Sequence, residues 1–323
     1  MKYKKFGRTD LEISEISLGT WAFASGAYGK TDDKVSLAAI DAAIDLGINL
    51  FDAAPLYSKG DGDNVQDGYA EIVLGKGLKG RRDKAIISTK FGRNPSMGWD
   101  TFFNKKRVIS SVEESLKRLG TDYIDVLFFH SPFGPDQIES DVWEGLQQVK
   151  EQGKVRYVGH SISMFEDTQA MNRQWMSENK IDVTQLVYSL MSREADDLIQ
   201  FIGEQNGGVL ARESLANGFL TGAITKDTVF EKGSVNAKYT AQEIAERVRY
   251  ADSLDFLIGG QIKTPAQAAL RWVLDSNNVS SVLSGAMTRE QIEDCAKASD
   301  ANSFTPEMLN RAKEIHKKDF SAA

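Results

Sequence analysis

The stretch Ile124-Asp125-Val126-Leu127-Phe128-Phe129-His130 is an apolar run that contains one aspartate and closes on a histidine. A short run of this kind, rich in aromatic and β-branched residues, predicts a strand buried on both faces of a parallel sheet. Seven further runs of similar length occur at residues 16–19, 48–52, 85–90, 155–161, 183–187, 208–212 and 280–284. The sequence therefore predicts eight buried parallel strands.

Amphipathic stretches separate these runs, among them residues 34–46, 107–119, 142–152 and 266–274. Their apolar residues recur every three or four positions, which predicts helices with one buried face. Thr264 and Pro265 suit the N-cap and first-turn positions of the last helix. Strands that alternate with helices predict an α/β protein whose parallel sheet closes as a (β/α)8 TIM barrel. An open doubly wound sheet is the rival, but Gly19-Thr20-Trp21 follows the first strand where that fold carries a Gly-x-Gly-x-x-Gly turn.

The composition excludes several classes of function. Lys and Arg number 39 against 46 Asp and Glu, giving a formal net charge of −7 that argues against nucleic-acid binding. Cys295 is the only cysteine and the three histidines are scattered, so we expect neither a disulfide nor a metal site. Residues 1–323 contain no linker, no apolar leader and no run of roughly 18 apolar residues. We therefore expect one cytoplasmic domain without membrane contact.

Polar side chains end several of the predicted strands. Asp52, Lys90 and His130 end three of them, Tyr57 follows Asp52 by five positions, and Ser161, Gln185 and Arg212 lie in or at the ends of three more. Chemistry in a (β/α)8 barrel is located at the carboxyl ends of its strands. Each residue alone has an ordinary structural explanation, such as a helix cap or a surface side chain. Together, an acid, a phenol, an amine and an imidazole on one barrel face indicate a reactive site, because buried charges are costly unless paired.

This set of groups suits proton delivery to a carbonyl oxygen. A free tyrosine has a pKa of about 10, and a neighbouring ammonium such as Lys90 is expected to lower the pKa of Tyr57. Asp52 would hold Lys90 charged, Tyr57 would act as general acid, and His130 would donate to the substrate oxygen. None of these groups supplies electrons, so the reaction needs a bound cofactor.

The same residues lie in segments that resemble the aldo-keto reductases. Residues 5–14 resemble the N-terminal β-hairpin of that family, and residues 51–57, 88–90 and 122–130 resemble the segments that carry its catalytic Asp, Tyr, Lys and His. The resemblance implies a barrel with long substrate loops and an NAD(P)(H)-dependent oxidoreductase. Hydride would pass between nicotinamide and a carbonyl or alcohol carbon of a sugar, aldehyde or ketone, with Tyr57 handling the proton.

The resemblance also implies the residues that bind the two ligands. The cofactor would contact Gly19, Thr20, Trp21, Asp52, Ser161, Gln185, Tyr188, Arg212, Leu215, Asn217, Gly218, Leu220, Gly285, Met287, Arg289, Gln291 and Asp294. The substrate would contact Trp21, Phe23, Tyr57, Trp99, His130 and Phe133. The family favours NADP(H) over NAD(H), although Met287 stands where a basic residue is common.

Three further departures from the family pattern concern the cofactor and the mouth of the site. Ile162 replaces the usual Asn after Ser161, and Glu213 places a carboxylate at the start of the pyrophosphate loop unless Arg212 neutralises it. A polar insertion, residues 59–68, follows Tyr57. Two alternative functions stay open: a cofactor-sensing regulatory module with little turnover, and a barrel aldolase in which Lys90 forms a Schiff base.

Overall fold

The computed structural model describes residues 1–24, 32–60, 65–94, 103–162 and 165–319. Eight parallel strands close a barrel in chain order, and the last strand pairs with the first. They are β3 (Ile16–Gly19), β4 (Leu50–Asp52), β5 (Ile86–Phe91), β6 (Ile124–His130), β7 (Val155–Ser161), β8 (Val183–Val187), β9 (Gly208–Arg212) and β10 (Ser281–Ser284). The predicted (β/α)8 barrel is therefore confirmed.

The helices around the barrel begin where side chains cap them. They are α1 (Asp33–Asp45), α2 (Tyr69–Gly77), α3 (Lys105–Leu119), α4 (Val142–Glu151), α5 (Phe165–Ser177), α6 (Asp196–Glu204), α7 (Ala241–Asp252), α8 (Pro265–Leu274), α9 (Arg289–Asp300) and α10 (Pro306–Asp319). Thr264 caps α8 as the sequence predicts. Helices α1 and α3 start one and two residues earlier than predicted, because Asp32 and Asn104 accept from the third backbone amide of each helix. No helix within the described ranges is long and apolar enough to cross a bilayer.

A two-stranded antiparallel hairpin, β1 (Tyr3–Lys5) and β2 (Glu12–Ser14), precedes the barrel and confirms the predicted hairpin. Its loop residue Phe6 is fully buried and packs with the apolar side chains of the barrel interior. Gly208 on β9 permits this contact, because a Cβ there would lie 2.5 Å from the Phe6 ring. The hairpin thus fills the amino end of the barrel.

The strand pleat explains which residues point into the barrel. Alternate residues of a strand share a face. A residue two positions after one that points into the barrel interior therefore also points inward. The deep inward residues form one apolar cluster that includes Leu50, Val126, Phe128, Val183, Leu210 and Leu283. One pleat nearer the carboxyl end, the same faces carry Asp52, His130, Gln185 and Arg212. The carboxyl end of the barrel is therefore polar above an apolar interior.

Candidate active site

Lys90, on β5, is the centre of the polar cluster and is only 1% exposed. Its Nζ donates to Asp52 Oδ2 at 2.6 Å, to the Ala53 carbonyl at 2.9 Å and to Tyr57 Oη at 3.1 Å. An ammonium has three N–H donors, so these three acceptors fix its position. Burial lowers the pKa of Lys90, but the charges and hydrogen bonds of Asp52 and Tyr57 outweigh it and raise the pKa overall. Lys90 is therefore a permanent cation beside the Tyr57 oxygen.

The second oxygen of Asp52 receives two further hydrogen bonds. Ser88 Oγ donates to Oδ1 at 2.7 Å, and Gln185 Nε2 donates to the same oxygen at 3.0 Å. Gln185 Oε1 in turn accepts from Ser161 Oγ at 3.0 Å. Together with the Lys90 ammonium, these donors give both oxygens of the buried Asp52 side chain hydrogen-bond partners. The chain from Ser161 to Lys90 joins four strands of the barrel, β7, β8, β4 and β5.

Tyr57 lies in the loop after β4, and its hydroxyl oxygen accepts the hydrogen bond from Lys90 Nζ. Burial raises the pKa of Tyr57 above its usual value, and the Lys90 ammonium offsets only part of that increase. The sequence analysis predicts a lowered pKa for Tyr57, because it considers only the Lys90 ammonium. That prediction is wrong in direction, since burial has the larger effect on the pKa. A phenol with a raised pKa is protonated at neutral pH, which is the state that a proton donor needs.

His130 ends β6 and faces Tyr57. The two rings meet edge to face, with centroids 6.1 Å apart and planes at 86°. Burial, followed by the positive charges of Lys90, Arg93 and Arg212, holds the pKa of His130 well below its usual 6.5. Its Nδ1 is buried and has no hydrogen-bond partner among the residues that the structure describes. His130 is thus a neutral imidazole beside the Tyr57 hydroxyl.

Arg212, one of the residues that the resemblance assigns to the cofactor, ends β9. Its guanidinium forms an ion pair with Glu213, which is the neutralisation that the sequence analysis asked for beside a pyrophosphate. Its Nη2 also donates to the Ile162 carbonyl at 2.9 Å. The loop that follows contains three consecutive left-handed residues, Ala216, Asn217 and Gly218, with φ of 48°, 53° and 98°. Two of their backbone amides are engaged within the loop, because Ala216 donates to the Glu213 carbonyl at 2.7 Å and Gly218 to the Leu215 carbonyl at 3.0 Å.

Several other residues that the resemblance assigns to the cofactor are close to this cluster or buried near it. Thr20 Oγ1 donates to the Asp52 carbonyl at 2.9 Å, and the Trp21 ring lies 6.4 Å from the Tyr57 ring. Tyr188 is 5% exposed, donates to Asp196 Oδ1 at 2.6 Å and packs against Trp272 at 5.1 Å. Leu220 is buried in the core cluster and Leu215 packs against it, while Gly19 ends β3.

A second group of the residues that the resemblance assigns to the cofactor lies around the start of α9. Gln291 closes a capping box with Thr288 and accepts from the Met287 amide at 2.8 Å. Asp294 accepts from Thr264 and Gln267 at 2.7 Å each. Gly285 is an exposed residue between β10 and α9.

Arg289, the basic residue nearest Met287 along the chain, is engaged by two carboxylates. Its guanidinium lies 3.2 Å from Asp45 Oδ2 and 3.5 Å from Glu293 Oε1. Both pairs are largely exposed, so each is weak taken alone. Two carboxylates nevertheless flank Arg289, the basic side chain nearest to Met287 in the sequence.

The residues assigned to the substrate have different environments. Phe23 is 3% exposed and belongs to the core cluster, whereas Phe133 is 41% exposed beside Arg93. Trp99 lies outside the described residues. The insertion after Tyr57 is described in part, with Lys59 and Gln66 forming an isolated antiparallel bridge.

Two residues at this site, Ser88 and Arg93, lie in segments that the sequence analysis considers but are not singled out there. Ser88 supports Asp52, and it lies two positions before Lys90, so strand alternation alone places both on the same face. Arg93 lies three positions after Lys90 and acts on the pKa of His130. Its signal is weaker, because a basic residue in a loop is ordinary.

Comparisons with known proteins identify the family of the chain and agree with its barrel fold. A family model described as the aldo/keto reductase family matches residues 15–317. An aldo-keto reductase of Bacillus subtilis is 31% identical over 305 residues, covering 91% of this chain and 87% of the relative. The NADH-specific methylglyoxal reductase of Escherichia coli is 29% identical over 326 residues, covering 94% of each protein. A solved glycerol dehydrogenase from Gluconobacter oxydans has a TM-score of 0.78 at 25% identity, covering 99% of this chain and 97% of that one. Because the family match spans nearly the whole chain, this protein belongs to the aldo/keto reductase family of oxidoreductases.

Proposed function

We propose that this protein is an NAD(P)(H)-dependent oxidoreductase that reduces a small carbonyl compound of the sugar, aldehyde or ketone class. The observation that supports this most directly is the position of Lys90 Nζ, which is 2.6 Å from Asp52 and 3.1 Å from the Tyr57 hydroxyl. A buried ion pair joined to a phenol supplies a mobile proton next to a fixed positive charge. That is the requirement of carbonyl reduction on the side of the oxygen.

Tyr57 would deliver the proton. Because burial raises its pKa, it holds this proton at neutral pH. Once the proton has moved to the substrate oxygen, the Lys90 ammonium stabilises the phenolate, and Asp52 keeps Lys90 charged and oriented. His130, neutral because its pKa is lowered, can donate one N–H to the same substrate oxygen.

A nicotinamide nucleotide would supply the hydride. Its carboxamide would be held by Ser161 and Gln185, which each retain hydrogen-bonding capacity beyond the bond between them. Its ring would lie against Tyr188. Its phosphates would bind beside Arg212, whose guanidinium is a charge-assisted donor that suits an anion. The donor chemistry of these described residues fits the cofactor.

The adenosine end supports NAD(H) binding at least as tight as that of NADP(H), in contrast to the family preference for NADP(H). A 2′-phosphate dianion near Arg289 would approach the carboxylates of Asp45 and Glu293 as well. Met287 adds no charge of its own. The similarity to a reductase named as NADH-specific points in the same direction.

The Schiff-base alternative is not supported by the state of Lys90. An amine must be neutral to attack a carbonyl carbon, and the pKa of Lys90 is raised by Asp52 and Tyr57. Its three N–H donors are also committed to three acceptors.

The first test is a titration of the protein with NADH and with NADPH, followed by quenching of tryptophan fluorescence. We expect both to bind, with a dissociation constant for NADH no larger than that for NADPH. Tenfold tighter binding of NADPH would contradict the inferred preference. A panel of aldehydes, ketones and sugars is then screened for turnover. Binding without any turnover would favour a cofactor-sensing module, and absence of binding would refute the proposed function.

A further inference from the structure

The outer face of the barrel wall carries a buried polar cluster behind the active site. His160 on β7 and Thr184 on β8 are register partners across the two strands, and both residues are fully buried. Asn172 of helix α5 contacts both of them: its Nδ2 lies 3.2 Å from His160 Nδ1 and donates to Thr184 Oγ1 at 3.0 Å. One side chain of the helix therefore joins two neighbouring strands from outside.

The hydrogen bonds of this cluster explain why an asparagine is found at position 172. Asparagine is a poor residue for the interior of a helix, and a fully buried amide is costly unless it is hydrogen-bonded. A side-chain amide has two N–H donors, and here one is directed to each strand. An apolar residue would suit the helix and its packing better, so the bonds to the two strands account for Asn172.

The residues that follow this outer pair carry contacts of the active site. Adjacent residues of a strand point to opposite faces, so the residue after each member of the pair points into the barrel. These residues are Ser161 and Gln185, which are register partners as well. Ser161 Oγ donates to Gln185 Oε1, and Gln185 Nε2 donates to Asp52 Oδ1, at 3.0 Å each. The reach of Gln185 to Asp52 thus depends on how β7 and β8 lie side by side.

We propose that Asn172 is a positioning residue of the active site, which joins β7 to β8 from outside and so holds Gln185 where its amide reaches Asp52. This inference rests on the proposed function and deepens it by adding a residue from the outer layer of the barrel. From Asp52 the series of hydrogen bonds continues through Lys90 to the Tyr57 hydroxyl. A shift of Gln185 therefore alters the support of the groups that move the proton.

A purely structural role for Asn172 makes a different prediction. If its loss only loosens the docking of α5, the activity declines with the folded fraction, whatever side chain is present at position 185. If Asn172 acts through Gln185, its loss matters only while the Gln185 amide is present. Residues that act through a shared contact have non-additive effects, and a double-mutant cycle measures the difference.

The experiment studies Asn172→Ala in the full protein, alone and combined with Gln185→Ala. The single variant should lower kcat for carbonyl reduction by about tenfold, because small displacements of catalytic groups have large effects on rate. It should also weaken the binding of NADH, followed by tryptophan fluorescence. In the Gln185→Ala background both effects should fall below about twofold. The NADH titration completes the cycle even if Gln185→Ala leaves too little activity to measure.

Met176→Ala is the matched control on the same helix. Met176 is fully buried one turn further along α5, where its sulfur lies 2.7 Å from Arg8 Nη2. The variant should lower the midpoint of urea unfolding at least as far as Asn172→Ala does. Its kcat should nevertheless equal that of the wild type, because Asn172 still joins the two strands.

Two variants of Thr184 test the same link from the strand side. Thr184→Val removes the hydroxyl that Asn172 binds and should reproduce the loss of kcat, whereas Thr184→Ser keeps a hydroxyl and should restore the wild-type value. If Asn172→Ala does not fold, Thr184→Val takes its place in the cycle with Gln185→Ala.

Several results would overturn the proposal while leaving the carbonyl reductase function intact. They are wild-type kcat and NADH binding in Asn172→Ala, equal fold losses with and without the Gln185 side chain, and an equal loss of kcat in Met176→Ala. If the wild type binds neither nucleotide and reduces no carbonyl, both proposals fail together.

Discussion

Each end of the barrel contains a buried aspartate that forms an ion pair. The two aspartates differ in the basic side chains that bind them and in the further contacts of those side chains. At the carboxyl end, Asp52 is bound by Lys90, whose remaining contacts include the Tyr57 hydroxyl. At the amino end, Asp125 on β6 lies 2.6 Å from Arg82 Nη2 and 2.8 Å from Arg156 Nη1. Both carboxylates are 2% exposed. Burial and pairing alone therefore do not distinguish the reactive end from the inert one.

The difference lies in the partners of each ion pair. Asp125 also accepts from the backbone amide of Ile87 at 2.9 Å, so its contacts join β5, β6 and β7. Its partners are guanidiniums, which do not release protons near neutrality. The partner of Asp52 is Lys90, which also contacts the Tyr57 hydroxyl, a group whose proton can be transferred. A buried ion pair at the amino end stabilises the barrel, whereas one at the carboxyl end prepares a group for reaction.

The largest expected effect is loss of the phenol. Tyr57→Phe removes the proton donor and should lower kcat for carbonyl reduction by about 10²–10⁴-fold. Binding of the nucleotide, measured by fluorescence, should change little. Tyr157→Phe is the matched control, because its hydroxyl donates to Asp10 at 2.9 Å at the amino end. Equal kcat values for the two variants would contradict the assignment of Tyr57.

Breaking the ion pairs at the amino end should affect stability without affecting chemistry. Asp125→Asn leaves Arg82 and Arg156 without their buried anion, and we expect a loss of about 3 kcal/mol. The midpoint of urea unfolding measures this loss, and the kcat of the folded variant should match that of the wild type. Asp52→Asn should lower kcat sharply as well as stability. A similar loss of kcat in both variants would remove the distinction between the two ends.

A smaller effect concerns a histidine in the barrel wall, outside both ends. His160 on β7 is fully buried against Asn172 and Trp175, and burial lowers its pKa to about 3. An unfolded chain takes up a proton at His160 below its ordinary pKa of about 6.5, while the folded chain excludes it. The contribution of His160 to the free energy of unfolding is therefore fully present above about pH 6.5. It falls by about 1.4 kcal/mol per pH unit as the pH decreases from about 6.5 toward 3.

The variant His160→Gln should remove this part of the pH dependence. Urea midpoints at pH 7 and pH 5.5 should differ less in the variant than in the wild type, by about 1 kcal/mol in free energy. An unchanged difference would show that His160 is protonated in the folded protein. Above pH 7 the two proteins should show the same dependence of stability on pH.

The barrel could be predicted because its strands are local patterns. Residues 155–161, 183–187 and 208–212 were predicted with the bounds that the structure gives. The polar residues at the strand ends were also predictable, since the pleat directs them to one face. Helix starts were less accurate, because a cap such as Asn104 depends on a single hydrogen bond.

The contacts inside the site could not be predicted in the same way. The bond from Gln185 to Asp52 joins residues 133 positions apart, and only closure of the barrel brings them together. The raised pKa of Tyr57 depends on the balance between burial and one charge, which a sequence does not quantify. The sequence did not indicate the role of Arg93, because its hydrogen bond to the Ser131 carbonyl joins residues 38 positions apart.

Closure of the barrel also sets the order of events during synthesis. The first barrel strand, β3, pairs with β10 through Ile16 and Val282, so one of its edges lacks a partner until residue 284 has been made. At about 5–20 residues per second, the ribosome needs roughly 13–50 s to extend the chain from residue 19 to residue 284. Throughout that interval the nascent protein exposes an unpaired strand edge that is open to other chains. Production of the folded enzyme should therefore be sensitive to translation rate and to chaperones that bind nascent chains.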